Sequence, residues 1–292
     1  MTAILPLSPL IDPMPNASFD APIGIFDSGI GGLSVALEIA HYLPNERIIY
    51  YADTAHVPYG PRDDQSIREL TAQAIEWLYR QGCKAAVVAC NTASAFSLDY
   101  LRAHYGERFP IIGLVPALKP AVLGTQSKVV AVLATPATFR GQLLKEVMRN
   151  FADPMGVKVL PVTSLDLVPF VEAGQGDSEA CKAVLKQILE PVVEQKIDFL
   201  VLGCTHYPFL KDTIKSLYGE NFSLIDSGMA VARQTSRILI KHQLAATTQH
   251  KMTKQIKCVV SGQNADDLKP IIYHLIGSKV EWSVENLVEK LY

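Results

Sequence analysis

Short apolar runs alternate along the chain with longer segments in which apolar residues recur at helical spacing. Residues 86–89 and 199–202 form apolar runs without polar alternation, as do residues 128–134 after Lys128, and such runs are typical of strands buried on both faces of a parallel sheet. Between such runs, residues 63–79 place Ile67, Ala74 and Trp77 on one helical face. The repeated strand–helix order predicts an α/β fold of parallel sheets with helices on both faces, and a last strand–helix pair after the strand at residues 256–260.

The same pattern occurs twice and predicts two similar domains. Strands of the first half end at Asp27 and at Cys90, and strands of the second half end at Thr135 and at Cys204. We expect a flexible N-terminal extension at residues 1–20, a domain A made of residues 21–115 and 227–292, and a domain B made of residues 116–226. Ligands of open α/β sheets bind at the carboxyl ends of the strands, so the cleft between the two domains is the predicted active site.

Composition excludes several classes of protein. The chain has 292 residues, of which 49% are hydrophobic and 19% charged, and its net charge of −2 argues against broad nucleic-acid binding. No apolar run is long enough to span a membrane, and residues 1–22 contain five prolines without the pattern of a secretory signal. We therefore expect a cytoplasmic protein that binds neither membrane nor nucleic acid.

Two of the five cysteines occupy positions suited to chemistry. Their number is odd and no CxxC occurs, which disfavours a disulfide framework or a zinc ribbon. Cys83, Cys181 and Cys258 lie in apolar surroundings and are predicted to be core residues. In contrast, Cys90 and Cys204 each end a strand before polar, helix-opening residues, and a helix N-terminus lowers the pKa of a thiol.

Two thiols across a cleft allow several chemistries. A redox pair would favour CxxC or direct contact, and a cysteine hydrolase needs only one cysteine with a basic partner. Two acid–base groups on opposite faces of a substrate suit stereoinversion at a carbon acid. The glycine-rich run at residues 27–32 lacks both the Gly-Lys-Ser/Thr of a P-loop and the full dinucleotide spacing, so a nucleotide site is disfavoured.

Four motifs in the same order give the chain a specific resemblance. From about residue 23 to the C-terminus it resembles the glutamate racemases of bacterial cell-wall synthesis, in the aspartate/glutamate racemase superfamily. The matching segments are FDSGIGGLS at residues 26–34, VPYG at 57–60, ACNTA at 89–93 and GCTHYP at 203–208. The resemblance implies an isomerase that interconverts L- and D-glutamate and supplies D-glutamate for peptidoglycan and cell shape.

The resemblance also implies roles for individual residues. Cys90 would take the α-proton from D-glutamate and Cys204 from L-glutamate, with the opposite thiol returning a proton. Asp27, His206 and Glu172 would assist. Substrate contacts are expected from Asp27, Ser28, Tyr59, Gly60, Asn91, Thr92, Thr135, Thr138, Thr205 and His206. Alternatively, Asp27 is a helix N-cap, His206 a structural histidine and Glu172 a solvent-facing side chain.

Partners and rival functions follow from the same comparison of motifs. We expect no pyridoxal phosphate and no metal, glutamate as substrate, possible activation by UDP-MurNAc-L-alanine, and a monomer or homodimer. The rival enzymes are an aspartate racemase and a hydantoin or maleate isomerase on the same scaffold. Two rivals come from further classes, a non-catalytic amino-acid-binding protein and a hydrolase that uses one cysteine with His206.

Overall fold

The computed structural model describes residues 19–246, 255–262 and 264–287. Most of the predicted N-terminal extension, residues 1–18, lies outside these ranges. The strands are β1 (Ile23–Asp27), β2 (Ile48–Ala52), β3 (Ala85–Val88), β4 (Ile111–Gly113), β5 (Val129–Ala134), β6 (Lys158–Thr163), β7 (Phe199–Leu202), β8 (Ser223–Ile225), β9 (Ile256–Val260) and β10 (Trp282–Asn286).

Helices follow most of the strands, as the sequence pattern predicts. They are α1 (Leu33–Tyr42), α2 (Asp64–Arg80), α3 (Asn91–Tyr105), α4 (Leu118–Gly124), α5 (Pro136–Arg140), α6 (Gln142–Val147), α7 (Leu167–Glu172), α8 (Glu179–Val193), α9 (Lys211–Tyr218), α10 (Gly228–Lys241) and α11 (Ala265–Ile276). In the described part of the chain, no helix has the length and apolarity needed to cross a bilayer.

The strands form two parallel sheets. The first has the order β10-β9-β2-β1-β3-β4 and the second the order β6-β5-β7-β8, and the paired strands run parallel. We call the first sheet with α1–α3, α10 and α11 the first lobe, and the second sheet with α4–α9 the second lobe. The predicted fold class, parallel sheets flanked by helices in two similar units, is confirmed.

Both faces of the first sheet are buried, which explains its apolar strands. Ile23 and Ile25 of β1 pack under α1, α10 and α11, whereas Phe26 faces the core beneath α2 and α3. Helix α2 begins where Asp63 Oδ1 accepts a hydrogen bond from Ser66 N at 2.9 Å, an N-cap that satisfies one free amide of the first turn. Its apolar residues then recur at helical spacing on the buried side.

Two predictions about the course of the chain have different outcomes. The predicted strand–helix pair at the end is wrong in its order, because α11 comes before β10 and the latter pairs with β9. The short stretch around residue 284, in which apolar and polar residues alternate, is the strand, and the longer periodic stretch before it is the helix. The predicted domain boundaries, after residues 115 and 226, fall in the two connections between the sheets, and the division into separate domains stays a prediction.

A buried ion pair fixes the start of the described chain to the first lobe. Lys84 Nζ lies 2.5 Å from Glu46 Oε2, and the two side chains are 0% and 4% exposed. The ammonium also donates to Phe19 O at 2.8 Å, and Glu46 Oε1 accepts from Ala246 N at 2.9 Å. Burial lowers the pKa of Lys84, and the contact with Glu46 opposes that change. The pair therefore joins two peripheral segments to the base of the sheet.

We expect Lys84→Met to destabilise the protein by about 3 kcal/mol, because it leaves the Glu46 carboxylate buried without its cation. Urea unfolding followed by circular dichroism measures this loss. Lys84→Met combined with Glu46→Leu removes both charges and should recover a large part of it. A loss below about 1 kcal/mol in the single variant would contradict a stabilising role for the pair.

Candidate active site

A small cavity lies between the lobes where the carboxyl ends of the two sheets meet. Its volume is about 20 Å³, room for roughly one water molecule. Both lobes contribute to its wall, and both candidate cysteines line it. The lining residues are Ser28, Pro58, Tyr59, Gly60, Cys90, Asn91, Thr92, Thr135, Val168, Gly203, Cys204, Thr205 and His206.

Cys90 is the N-cap of α3. Its sulfur accepts a hydrogen bond from Ala93 N at 3.4 Å, and its thiol lies 3.7 Å from Ser28 Oγ. The expected lowering of its pKa by the helix N-terminus is wrong. Burial, and then the negative charge of Asp27, raise the pKa of Cys90 well above its usual value, and the amide of Ala93 only partly opposes them. The surroundings of Cys90 in this cavity therefore favour the neutral thiol over the thiolate.

Cys204 follows β7, but no α-helix begins directly after it. A short 3₁₀ segment, Tyr207–Leu210, precedes α9, so the predicted helix N-terminus at Cys204 is wrong. Its neighbour is instead an imidazole, since Cys204 Sγ lies 3.6 Å from His206 Nδ1. His206 Nε2 in turn lies 2.5 Å from Glu172 Oε1. The second lobe therefore supplies a chain of three side chains, thiol to imidazole to carboxylate.

His206 is 2% exposed, and its imidazole contacts a thiol on one side and a carboxylate on the other. Burial lowers its pKa, but the hydrogen bonds and charges of Cys204 and Glu172 outweigh burial and hold the pKa well above the usual value. Both ring nitrogens of His206 thus have partners, and its role in catalysis stays a prediction.

The glycine-rich run of the first lobe packs directly against this chain of side chains. Ile30 N donates to Glu172 Oε1 at 2.8 Å, which ties the two lobes together. A Cβ on Gly31 would lie 2.4 Å from His206 Nδ1, and one on Gly29 would lie 2.1 Å from Glu172 Oε1. Only glycine permits so close an approach. Glu172, with an 11% exposed side chain, is therefore not the solvent-facing glutamate of the alternative interpretation.

Asp27 lies at the end of β1 and is fully buried. Its Oδ2 accepts from Gly32 N at 2.7 Å, and Thr205 Oγ1 of the second lobe lies 3.3 Å from the same oxygen. Gly32, not Asp27, is the N-cap of α1. Burial raises the pKa of Asp27 to about 6, with the charge of His206 acting in the opposite direction. The carboxylate therefore connects the lobes close to both cysteines.

A row of hydroxyl groups crosses the cleft on the other side. Thr92 Oγ1 and Thr135 Oγ1 are 2.9 Å apart, and Thr135 Oγ1 and Thr138 Oγ1 are 3.0 Å apart. Thr92 lies in the first turn of α3 and Thr135 is the N-cap of α5, so two helix N-termini converge there. Asn91 Oδ1 is buried without a hydrogen-bond partner among the described residues and borders the cavity.

Most of the predicted site residues meet at the cavity. Asp27, Glu172 and Thr138 lie one layer behind its wall, in contact with residues that line it. Pro58, Val168 and Gly203 line the cavity but were absent from the prediction. Pro58 and Gly203 belong to the recognised motifs and could have been found there, whereas Val168 has no signal beyond an apolar helix.

The described residues of the site do not form a recognisable metal-binding site. Across residues 19–246, 255–262 and 264–287, no three His, Cys, Asp or Glu side chains group closely enough to hold a metal ion. The absence of a metal from the reaction stays a prediction.

Curated relatives resemble the chain over most of its length. The glutamate racemase of Deinococcus radiodurans is 58% identical over 230 residues, which cover 78% of this chain and 77% of that protein. The glutamate racemase of Cupriavidus pinatubonensis is 45% identical over 232 residues, covering 80% and 84%.

Solved structures share the fold of this chain, and a family model matches its sequence. Escherichia coli glutamate racemase, in complex with L-glutamate and the activator UDP-MurNAc-ala, has a TM-score of 0.78 and 33% identity over 91% of this chain and 98% of that one. The Francisella tularensis enzyme in complex with D-glutamate has a TM-score of 0.77 and 28% identity, covering 94% and 98%. The model of the Asp/Glu/hydantoin racemase family matches residues 32–235. The chain therefore belongs to the Asp/Glu/hydantoin racemase family.

Proposed function

We propose that this protein interconverts L- and D-glutamate and supplies D-glutamate for peptidoglycan synthesis. One observation carries the proposal: Cys90 of the first lobe and Cys204 of the second line the same cavity. Racemisation needs a proton removed from one face of the α-carbon and another delivered to the opposite face. The names of the relatives point to glutamate as the substrate.

The two thiols exchange roles with the direction of reaction. With L-glutamate, the thiolate of Cys204 takes the α-proton and the Cys90 thiol protonates the planar carbanion from the other face. With D-glutamate, Cys90 takes the proton and Cys204 returns one. Each turnover therefore leaves one sulfur protonated and the other deprotonated, and the original state returns by proton exchange with solvent.

The carbanion requires strong stabilisation, because an amino-acid α-hydrogen is weakly acidic and a thiolate is a modest base. Hydrogen-bond donors near both cysteines, from Asn91, Thr92 and Thr205, suit the negative charge that develops on the α-carboxylate. We assign binding of a substrate carboxylate to the hydroxyl row of Thr92, Thr135 and Thr138. Asp27 and His206 would adjust the charge beside Cys90 and Cys204 respectively.

Substrate entry requires the lobes to separate. A cavity of about 20 Å³ does not hold a glutamate molecule, which has ten heavy atoms. The two connections between the sheets, near residues 115–116 and 226–227, are the natural hinges. Closure excludes water from the carbanion and strengthens the electrostatic interactions around it.

Further properties follow as parts of the same proposal. One chain supplies all the residues that line the cavity, so in our scheme racemisation needs no second subunit, and either a monomer or a homodimer would be active. The scheme also uses neither pyridoxal phosphate nor a metal. We propose a cytoplasmic location, where peptidoglycan precursors are made. The activator in the Escherichia coli complex supports a test of UDP-MurNAc-L-alanine on this protein.

Purified protein incubated separately with L-glutamate and with L-aspartate tests the substrate, with both enantiomers quantified by chiral chromatography. We expect both enantiomers of glutamate to reach equal concentrations, with aspartate at least about 100-fold slower because its shorter side chain misplaces one carboxylate. Inversion of aspartate but not glutamate would establish the rival aspartate racemase. Inversion of neither would favour a binding protein.

We expect Cys90→Ala and Cys204→Ala each to lower glutamate racemisation by at least about 100-fold, because each removes one of two required acid–base groups. Cys181→Ala is a matched control, since Cys181 is buried in the core of the second lobe and does not line the cavity. It should keep the wild-type rate. Full activity of either cavity variant would refute the two-thiol scheme, and loss at Cys204 alone would favour a hydrolase-like use of one cysteine.

The raised pKa of Asp27 makes stability depend on pH in a defined direction. Its pKa is about 6 in the folded protein against an ordinary value of 3.8, so between these values the folded state binds more protons than the unfolded state. The unfolding free energy should therefore fall as pH rises from about 4 to 6, by up to about 3 kcal/mol from this group. Denaturant unfolding at several pH values should show that Asp27→Asn lacks this decrease and is more stable than wild type at pH 7. An unchanged slope would contradict the assignment.

A further inference from the structure

A carboxylate that the mechanism does not use holds the loop that brings Tyr59 to the cavity. Asp53 follows β2 directly and is 3% exposed. Tyr59 Oη donates to Asp53 Oδ2 at 2.6 Å, and Ser261 Oγ donates to Oδ1 at 2.7 Å. His56 Nδ1 lies 2.9 Å from Oδ1 and 3.0 Å from Oδ2. Asp53 therefore joins the ends of β2 and β9 to the loop between β2 and α2.

We propose that Asp53 is a positioning residue for substrate binding, which acts by fixing Tyr59 and the cavity wall that Tyr59 and Gly60 form. The inference rests on the proposed function, because it assigns Asp53 to the binding of glutamate. Asp53 itself does not line the cavity and takes no part in proton transfer.

The proton of Tyr59 is committed to Asp53. Tyr59 is 1% exposed, and burial followed by the charge of Asp53 raises the pKa of its phenol well above the usual value. A phenol has a single proton, so one that donates to Asp53 does not donate to a substrate. Tyr59 therefore contributes the shape of its ring and its backbone to the cavity, and both depend on the anchor at its hydroxyl.

The anchored loop meets the second lobe at the hydroxyl row. A Cβ on Gly60 would lie 3.2 Å from the side chain of Thr135 and 3.1 Å from Leu165 Cδ2. Thr135 stands at the centre of the row that we assign to carboxylate binding. A shift of the loop by a few tenths of an ångström would change this contact while leaving both cysteines in place.

Further hydrogen bonds make the loop a rigid link. Ala55 N donates to Ser261 Oγ at 3.1 Å, Gly262 N to Thr54 Oγ1 at 3.2 Å, and Arg62 Nη2 to His56 O at 2.7 Å. Among the residues joined by these hydrogen bonds and by those of Asp53, Tyr59 lines the cavity. Loss of the Asp53–Tyr59 bond should therefore weaken binding of glutamate more than it slows the chemical step.

The experiment compares KM and kcat for glutamate in Asp53→Ala, Tyr59→Phe and the double variant. We expect KM to rise about tenfold in each single variant, the size of effect that losing a hydrogen bond to a charged group produces, with kcat within about threefold of wild type. The double variant should have the KM of the single variants, because both remove the same bond.

Tyr105→Phe is the matched control. Tyr105 is 0% exposed and its hydroxyl donates to Glu76 Oε2 at 2.9 Å, the same kind of bond in the same lobe but away from the cavity. We expect it to lower the melting temperature and to leave KM within twofold of wild type.

Three results would overturn the positioning role while wild type racemises glutamate. The first is a KM for Asp53→Ala or Tyr59→Phe within twofold of the Tyr105→Phe control, the second a fall in kcat without a change in KM, and the third a double variant whose effect is the product of the single effects. If Asp53→Ala does not fold, the comparison of Tyr59→Phe with Tyr105→Phe still decides. Wild-type protein that fails to racemise glutamate in the same assay would instead refute the proposed function.

Discussion

The arrangement of the cleft depends on one carboxylate oxygen, Glu172 Oε1, which lies within hydrogen-bonding distance of a nitrogen atom from each lobe. Ile30 N of the first lobe lies 2.8 Å away and His206 Nε2 of the second lobe lies 2.5 Å away. His206 in turn lies beside Cys204. The packing of the two lobes and the position of the imidazole beside Cys204 are therefore linked through one oxygen atom of Glu172.

The packing of the lobes also places different ionisable groups beside the two cysteines. Cys90 lies near the buried carboxyl group of Asp27, and burial together with that charge raises the pKa of the thiol. Cys204 lies beside the imidazole of His206, whose pKa the contacts with Cys204 and Glu172 hold well above its usual value. The surroundings of the two thiols are therefore unlike, with a carboxyl group near one and an imidazole beside the other. At Cys90, burial outweighs the effect of the helix N-terminus.

The fold and the cysteines were predictable from local sequence, and the contacts around them were not. Apolar runs without alternation identified the strands, and the polar residues that follow Cys90 and Cys204 marked these cysteines among the five. Glu172 is 34 residues from His206 and lies in a six-residue helix, so no spacing indicated their contact. The direction of the pKa change at Cys90 also depends on burial between lobes. Gly29 and Gly31 were visible as glycines, but only the packed lobes explain why a side chain there would collide with Glu172 and His206.

Racemisation in deuterium oxide tests the central claim that two thiols act from opposite faces. L-Glutamate is incubated with the protein, the reaction is stopped at low conversion, and each enantiomer is separated and analysed for deuterium at the α-carbon. The account predicts D-glutamate that carries solvent deuterium and recovered L-glutamate that is still protonated, because different sulfurs remove and deliver the proton. D-Glutamate that retains the original proton, or L-glutamate that exchanges as fast as it inverts, would show a single base and contradict the account.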